Sequence, residues 1–133
     1  MESLLQISER RAGDVTVLDL SGPLVAIDGD LRFCARADAL VAAGARKILL
    51  NLGQVTSLDS GGVGALVRCY VRLRKLGGNL KLTNLTERTR RVLSVTRLLT
   101  VIEAYESEPA ALASFATGRL PDQSTGTAAG GGR

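Results

Sequence analysis

The residues able to do chemistry concentrate in one segment, Asn51-Leu52-Gly53-Gln54-Val55-Thr56-Ser57-Leu58-Asp59-Ser60-Gly61-Gly62-Val63-Gly64. An apolar run leads through a polar loop into a helical pattern whose start holds three glycines in four positions, Gly61, Gly62 and Gly64. Each costs about 1 kcal/mol in a helix relative to alanine. A helix start that accepts them needs close backbone approach, to a partner or to a neighbouring element. Unpaired amides and the positive end of the helix dipole suit a phosphate or a carboxylate at such a place. On the pattern alone a tight strand–helix turn, capped by Ser60 and with glycine for packing, is the favoured explanation. The spacing is not that of a phosphate-binding P-loop, because no Gly-Lys-Ser/Thr follows, nor that of a dinucleotide fingerprint.

Composition narrows the chemistry further. The 133 residues contain no histidine, which excludes His–Ser and His–Cys catalytic pairs and any His-ligated metal. Asp59 beside Ser60 reads as turn and cap rather than as an acid–base pair, so catalysis is the least favoured function and no cofactor or metal is expected. The aromatic residues are Phe33, Phe115, Tyr70 and Tyr105, too few for a base-stacking surface. Cys34 and Cys69 make neither a disulfide framework nor the start of a Cys₄ zinc site; with small apolar neighbours both read as reduced core cysteines. No signal peptide is visible at the N-terminus and no apolar run approaches the ~18 residues of a membrane span, so a cytoplasmic protein is expected.

Charge is uneven. Between Arg68 and Arg97 stand nine basic residues and one acid, Glu87, a balance of +8; the remainder of this +4 chain carries −4. A solvated helix face and a surface for an acidic partner explain that equally well. The same stretch could attract nucleic acid, with a steep salt dependence, or an anionic membrane surface, but nucleic acid is not an expected partner and no membrane insertion is expected.

Strand and helix patterns alternate around the segment. Leu4–Glu9 and Val15–Leu20 flank Ala12-Gly13-Asp14 and predict a hairpin, the second strand ending at Ser21-Gly22-Pro23. Lys47–Leu52, bounded by Gly44 and Gly53, Asn79–Thr83 and Thr100–Ala104 predict three more strands. Asp30 is the expected cap of a helix to Ala43, with Phe33, Ala37, Leu40 and Val41 inward. Ser60 caps Gly61–Leu76, with Val63, Leu66, Val67, Tyr70 and Leu73 inward and Gly77-Gly78 as its stop. Thr86 caps a helix to Thr96, with Val92, Leu93 and Thr96 inward, and Pro109–Phe115 predicts a short fourth helix. The order β-β-α-β-α-β-α-β-α predicts a mixed α/β sheet with a parallel core and right-handed crossovers. Val17, Leu18, Leu20, Ile48, Leu50, Val63, Leu66, Val67, Leu80, Val92 and Leu93 are the expected core; Arg68, Arg72, Arg74, Arg90 and Arg91 are expected outside it. The domain is placed at residues 1–116, and the glycine-rich stretch 117–133 is expected to be a disordered tail.

The order of elements, the run KILLNLGQVTSLDSGGVGAL, the helix YVRLRKLGGNLKLTN and the following TERTRRVLSVTRL resemble the STAS domain of bacterial anti-sigma factor antagonists. The resemblance covers about Leu4 to Phe115. It implies a four- to five-stranded mixed sheet with helices mainly on one face, and a regulatory role without catalysis. Such an antagonist binds an anti-sigma factor, itself a serine kinase, and frees the sigma factor. Phosphorylation of one serine at the start of the second helix breaks that binding. The phosphate brings a charge of about −1.5 to −2 to a helix N-terminus, which tolerates it, but in a tight interface the same group clashes and is desolvated.

Two positions depart from the family pattern. The family motif is Asp-Ser-Ser/Thr-Gly with the second hydroxyl as acceptor, whereas this chain reads Asp59-Ser60-Gly61-Gly62 and offers no oxygen at Gly61. A family acid that helps shape the phosphorylation site, at the end of the second strand, is Val25 here. The expectation is a module not switched at the usual residue, with Ser60, Ser57 and Thr56 as the substitute acceptors to test. By the same analogy Asp59, Ser60, Gly61, Gly62, Gly64 and Arg68, with the exposed side of their helix, form the partner-binding surface for an anti-sigma factor or related serine kinase-type protein. The alternatives are a STAS adaptor subunit of a lipid-transport ATPase or stress-sensing assembly, and a weak nucleotide binder.

Overall fold

In a computed structural model, which describes residues 4–117, the chain forms one five-stranded sheet in the order β1-β2-β3-β4-β5. The hairpin strands β1 (Gln6–Ala12) and β2 (Val15–Leu24) are antiparallel, while β2, β3 (Lys47–Leu58), β4 (Asn79–Thr83) and β5 (Ala104–Tyr105) run parallel. The crossovers carry α1 (Gly29–Ala42), α2 (Ser60–Lys75) and α3 (Glu87–Val95), the last followed by a 3₁₀ turn at Leu98–Thr100; α4 (Glu108–Thr117) closes the fold.

Alternation along the strands sorts the core into two layers. Leu18, Leu20, Ile48, Leu50, Leu52, Leu80 and Leu82 pack with Phe33, Ala37 and Val41 of α1, Leu66 and Leu73 of α2 and Leu93 of α3. Val15, Val17 and Leu49 point the other way, under Ala111 and Phe115 of α4. Three helices therefore cover one face and a single short helix covers the other, which is why the central strand reads Ile-Leu-Leu without a polar side.

The two strands beside the glycine segment run longer than their local sequence predicts. β2 passes through Gly22 and Pro23 to Leu24, and β3 passes Gly53 to Leu58, because the extensions pair with each other: Ser21 with Gln54, Gly22 with Val55, Pro23 with Ser57 and Leu24 with Leu58. Register shifts on either side of Gly22, whose φ is +104°, place the proline at an irregularity. β1 lies further along than Leu4–Glu9, since the two-residue turn Gly13-Asp14 sets Ala12 opposite Val15. The expected strand Thr100–Ala104 is instead a turn and a two-residue strand. Arg97, at φ +61°, ends α3 and sends Leu98 into the core, so pairing with β4 begins only at Ala104.

Helix caps follow similar logic. Thr86 caps α3 as predicted and Thr89 returns the bond, completing a capping box. α1 is not capped by Asp30. Its N-cap is Asp28, which makes no side-chain cap bond, and Gly29 already lies in the helix, where its bare Cα fits against the Pro23 carbonyl. Most of the expected core is buried, but Val63, Val67 and Val92 are half-buried, because Ala65, Leu66, Cys69 and Leu73 form the inward stripe of α2 and Thr89 and Leu93 that of α3. Thr96 is exposed, its hydroxyl donating back to the Val92 carbonyl at the helix end. The five arginines expected outside the core are exposed. Cys69 is buried and its thiol is pushed up to about 12 by that burial, whereas Cys34 is only half-buried, not a core cysteine. Of the stretch 117–133, residues 118–133 lie outside the described residues.

Candidate functional site

The glycine segment sits where the long ends of β2 and β3 deliver two loops to the same corner. One is the β2–α1 loop, Val25–Asp28; the other is the β3–α2 junction, Asp59 to Gly62. Asp59 joins them. Its carboxylate accepts the Gly62 amide at 3.1 Å, capping α2, and also accepts the Ala26 amide at 3.1 and 3.2 Å. Its carbonyl accepts the Val63 amide at 2.9 Å. The cap of α2 is thus Asp59, not Ser60 as the sequence suggested. A carboxylate one residue earlier reaches the third amide of the helix and the neighbouring loop together, which a hydroxyl at Ser60 could not do.

This correction frees Ser60, which is exposed with its hydroxyl outside the cap. The glycines, by contrast, serve contact with the loop. A Cβ built on Gly61 would lie 2.6 Å from the Cβ of Ala26 and 3.0 Å from its amide nitrogen. One on Gly62 would meet the Leu24 carbonyl oxygen and approach a methyl of Leu58 at 2.8 Å. Only Gly64 has room, its nearest neighbour being the Arg68 guanidinium at 3.7 Å. The place where an acceptor side chain would stand is therefore occupied by Ala26. Val25 is half-buried and its carbonyl accepts the Asp30 amide at 3.1 Å, so it contributes backbone rather than charge to the corner.

The remaining candidates spread outward from this point. Thr56 is exposed and its carbonyl accepts Arg88 Nη1 at 2.8 Å, which ties the end of β3 to α3. Ser57 is half-buried opposite Pro23. Arg68 is exposed on α2 and donates from Nη2 to Cys34 Sγ at 3.3 Å, across a groove of about 430 Å³ between α1 and α2. The Arg72–Asp38 ion pair, 2.6 Å, crosses the same groove, and Val67 and Val71 line it. Asp59, Ser60, Gly61 and Gly62 meet at the tip, whereas Gly64 and Arg68 continue down the helix.

Sequence reasoning missed Ala26, Ile27, Leu31 and Arg88. Ile27 and Leu31 stand 79% and 57% exposed beside the tip, unusual for large aliphatic side chains. Ala26 lies 35 positions from Gly61 in the chain, and no local pattern announces such a contact; its only signal is that two adjacent glycines at a helix start must face something. Among the described residues no group of three or more Cys, Asp or Glu side chains could hold a metal ion, and no helix is long and apolar enough to cross a membrane.

A model of the STAS domain matches residues 6–111. A candidate anti-sigma factor antagonist of Thermotoga neapolitana is 36% identical over 75 residues, 56% of this chain and 66% of that protein. The anti-sigma-B factor antagonist of Bacillus subtilis is 33% identical over 81 residues, 61% of this chain and 59% of that protein. The chain thus spans less than two thirds of the lengths of these two curated relatives, 66% of one and 59% of the other. The crystal structure of a candidate anti-sigma factor antagonist of Thermotoga maritima superposes with a TM-score of 0.75 at 25% identity, covering 83% of this chain and 94% of that one.

Proposed function

The chain belongs to the STAS domain family, and from that premise we propose that it is a non-catalytic binding module that engages an anti-sigma factor and so releases a sigma factor, without a phosphate switch at residue 61. The docking surface is the tip formed by Asp59, Ser60, Gly61 and Gly62, continued by Gly64 and Arg68. The observation that carries the reading is the contact between Gly61 and Ala26, at 2.6 Å from an added Cβ. It supports a tip that is closed, bears no acceptor side chain at residue 61, and is held in one shape by the two amides bound to the Asp59 carboxylate. Pre-organisation of this kind favours a docked state by lowering the cost of ordering the loops on binding. The names of the relatives, anti-sigma factor antagonists, support the class of partner.

A second reading rests on Ser60. Its exposed hydroxyl, one residue before the usual acceptor, lets a kinase-type partner place phosphate there instead, with Ser57 and Thr56 behind it. One experiment separates the two. The chain is used to capture its anti-sigma partner from its own cell extract, and the captured pair is incubated with and without ATP and Mg²⁺. Equal retention and no phosphate on Thr56, Ser57 or Ser60 by mass spectrometry is the expected result. Stoichiometric phosphate on Ser60 with release of the pair overturns the unswitched reading and favours the second.

A further inference from the structure

At the opposite end of the sheet from Asp59, where α2 stops and β3 and β4 begin, three cations converge on a small cavity. Lys81 is the unexpected member. It sits in β4 beneath α4 with its side chain only 7% exposed, although long charged side chains are rarely buried to that degree. Its ammonium donates to Ser114 Oγ at 2.8 Å, pairs with Glu103 at 3.2 Å, and lies 4.7 Å from the Phe115 ring centre and 5.6 Å from that of Tyr105. An ammonium has three donors, and Ser114 and Glu103 take two of them.

A cavity of about 150 Å³ opens beside it, lined also by Lys47, Arg74 and the backbone of Gly77 and Gly78. Lys47 is paired to Asp14 at 2.7 Å, but the Asp14 side chain is 73% exposed and can leave. Among the described residues the Arg74 guanidinium uses one of its five donors, in a long 3.4 Å bond to the Gly78 carbonyl. Three cations against the carboxylates of Asp14 and Glu103 leave the site net positive. Burial pushes the Glu103 carboxyl up, yet the Tyr105 hydroxyl, Lys81 and Arg74 outweigh it and hold that carboxyl below its ordinary value.

We propose that this cavity binds a small tetrahedral oxyanion: inorganic phosphate, or the terminal phosphate of a small metabolite. The donors of Lys47, Arg74 and Lys81 approach from separate elements, which suits an acceptor with several oxygens better than a single-point chloride. A space of this size holds a phosphoryl group but not a whole nucleotide.

The test is a titration of the ¹⁵N-labelled full chain with inorganic phosphate, with glycerol 3-phosphate in a second arm and sodium chloride at matched ionic strength as control. The expected result is saturable amide shifts at Gly77, Gly78 and Ser114 with phosphate and not with chloride. Saturation by glycerol 3-phosphate as well assigns the site to phosphate esters; saturation by inorganic phosphate alone assigns it to the free ion. Arg74→Gln, an exposed change that leaves the fold intact, weakens binding about ten-fold or more, and Lys47→Gln does so to a lesser degree. Linear shifts matched by chloride, indifference to Arg74→Gln, or saturable shifts confined to Ser60–Gly64 each overturn the proposal.

Discussion

At Gly61 the smallest possible addition, one carbon, comes within 2.6 Å of Ala26, so the residue that removes the family's acceptor hydroxyl also permits the β2–α1 loop to close. Gly61→Ser is expected to cost about 1–3 kcal/mol, the range for overpacking, read as a lower urea midpoint. Gly62→Ala, whose Cβ meets the Leu24 carbonyl rather than a movable methyl, costs at least as much. Asp59 and Ser60 provide a sharper contrast. Asp59→Ala loses the cap and the bond to Ala26 and destabilises by about 1–2 kcal/mol, while Ser60→Ala stays within about 0.5 kcal/mol. Equal effects of the two, measured by denaturation, would restore Ser60 to the capping role that its position in the sequence suggested. Adjacent Asp and Ser are both good caps, and which one serves is decided by Ala26, a partner 33 residues from Asp59 that no local pattern reveals.

Among the elements, α4 has the most independent place, alone on its face of the sheet. Phe115, 7% exposed, plugs the layer of Val15, Val17 and Leu49 and lays its ring against one side of the Lys81 ammonium. Phe115→Ala is expected to cost about 3–5 kcal/mol in a urea melt. The start of α4 is held by Arg10, which bonds Glu108 at 2.8 and 3.1 Å and Asp19 at 2.6 and 2.9 Å. The Arg10 guanidinium holds the Asp19 carboxyl below its ordinary 3.8 against burial, with the Asn51 amide helping. A carboxyl depressed in the folded state binds fewer protons there than in the unfolded chain. Its stabilisation is therefore complete above the ordinary value and is lost as pH falls through the folded one. Stability followed by urea midpoint should decline on acidification below about pH 4, and Asp19→Asn should make that decline shallower. Legibility differed by element. Thr86 could be read as a cap because it stands directly before the helix it starts, whereas of the expected inward stripe only Leu93 is buried, Val92 being half-buried and Thr96 exposed. The lengths of β2 and β3 could not, because Gly22, Pro23 and Gly53 look like stops until the two strands are seen to continue on each other. Lys81 read as one more member of a basic run because the helix above it is remote in sequence.

For the molecule as a whole, the alternating order predicted a mixed sheet with a parallel core, and five strands with three crossover helices on one face are found. The central strands are fully enclosed: Ile48, Leu49 and Leu50 are 0% exposed, as are Leu80 and Leu82. Native-state hydrogen exchange should accordingly be slowest in β3 and β4 and fastest in β1 and the two residues of β5 at the edges; protection of β1 equal to that of β3 would contradict this layering. The connectivity has a kinetic side as well. Ala12 and Val15 meet across two residues, but Thr16 must find Ile48, and Lys47 must find Asn79, across about thirty each. The hairpin can assemble and dissolve within microseconds, while each parallel partnership must await loop closure over an entire helix. Refolding speed should therefore be governed by substitutions along β3, the strand both distant encounters share, whereas changes in β1 should alter mainly how fast the finished molecule comes apart.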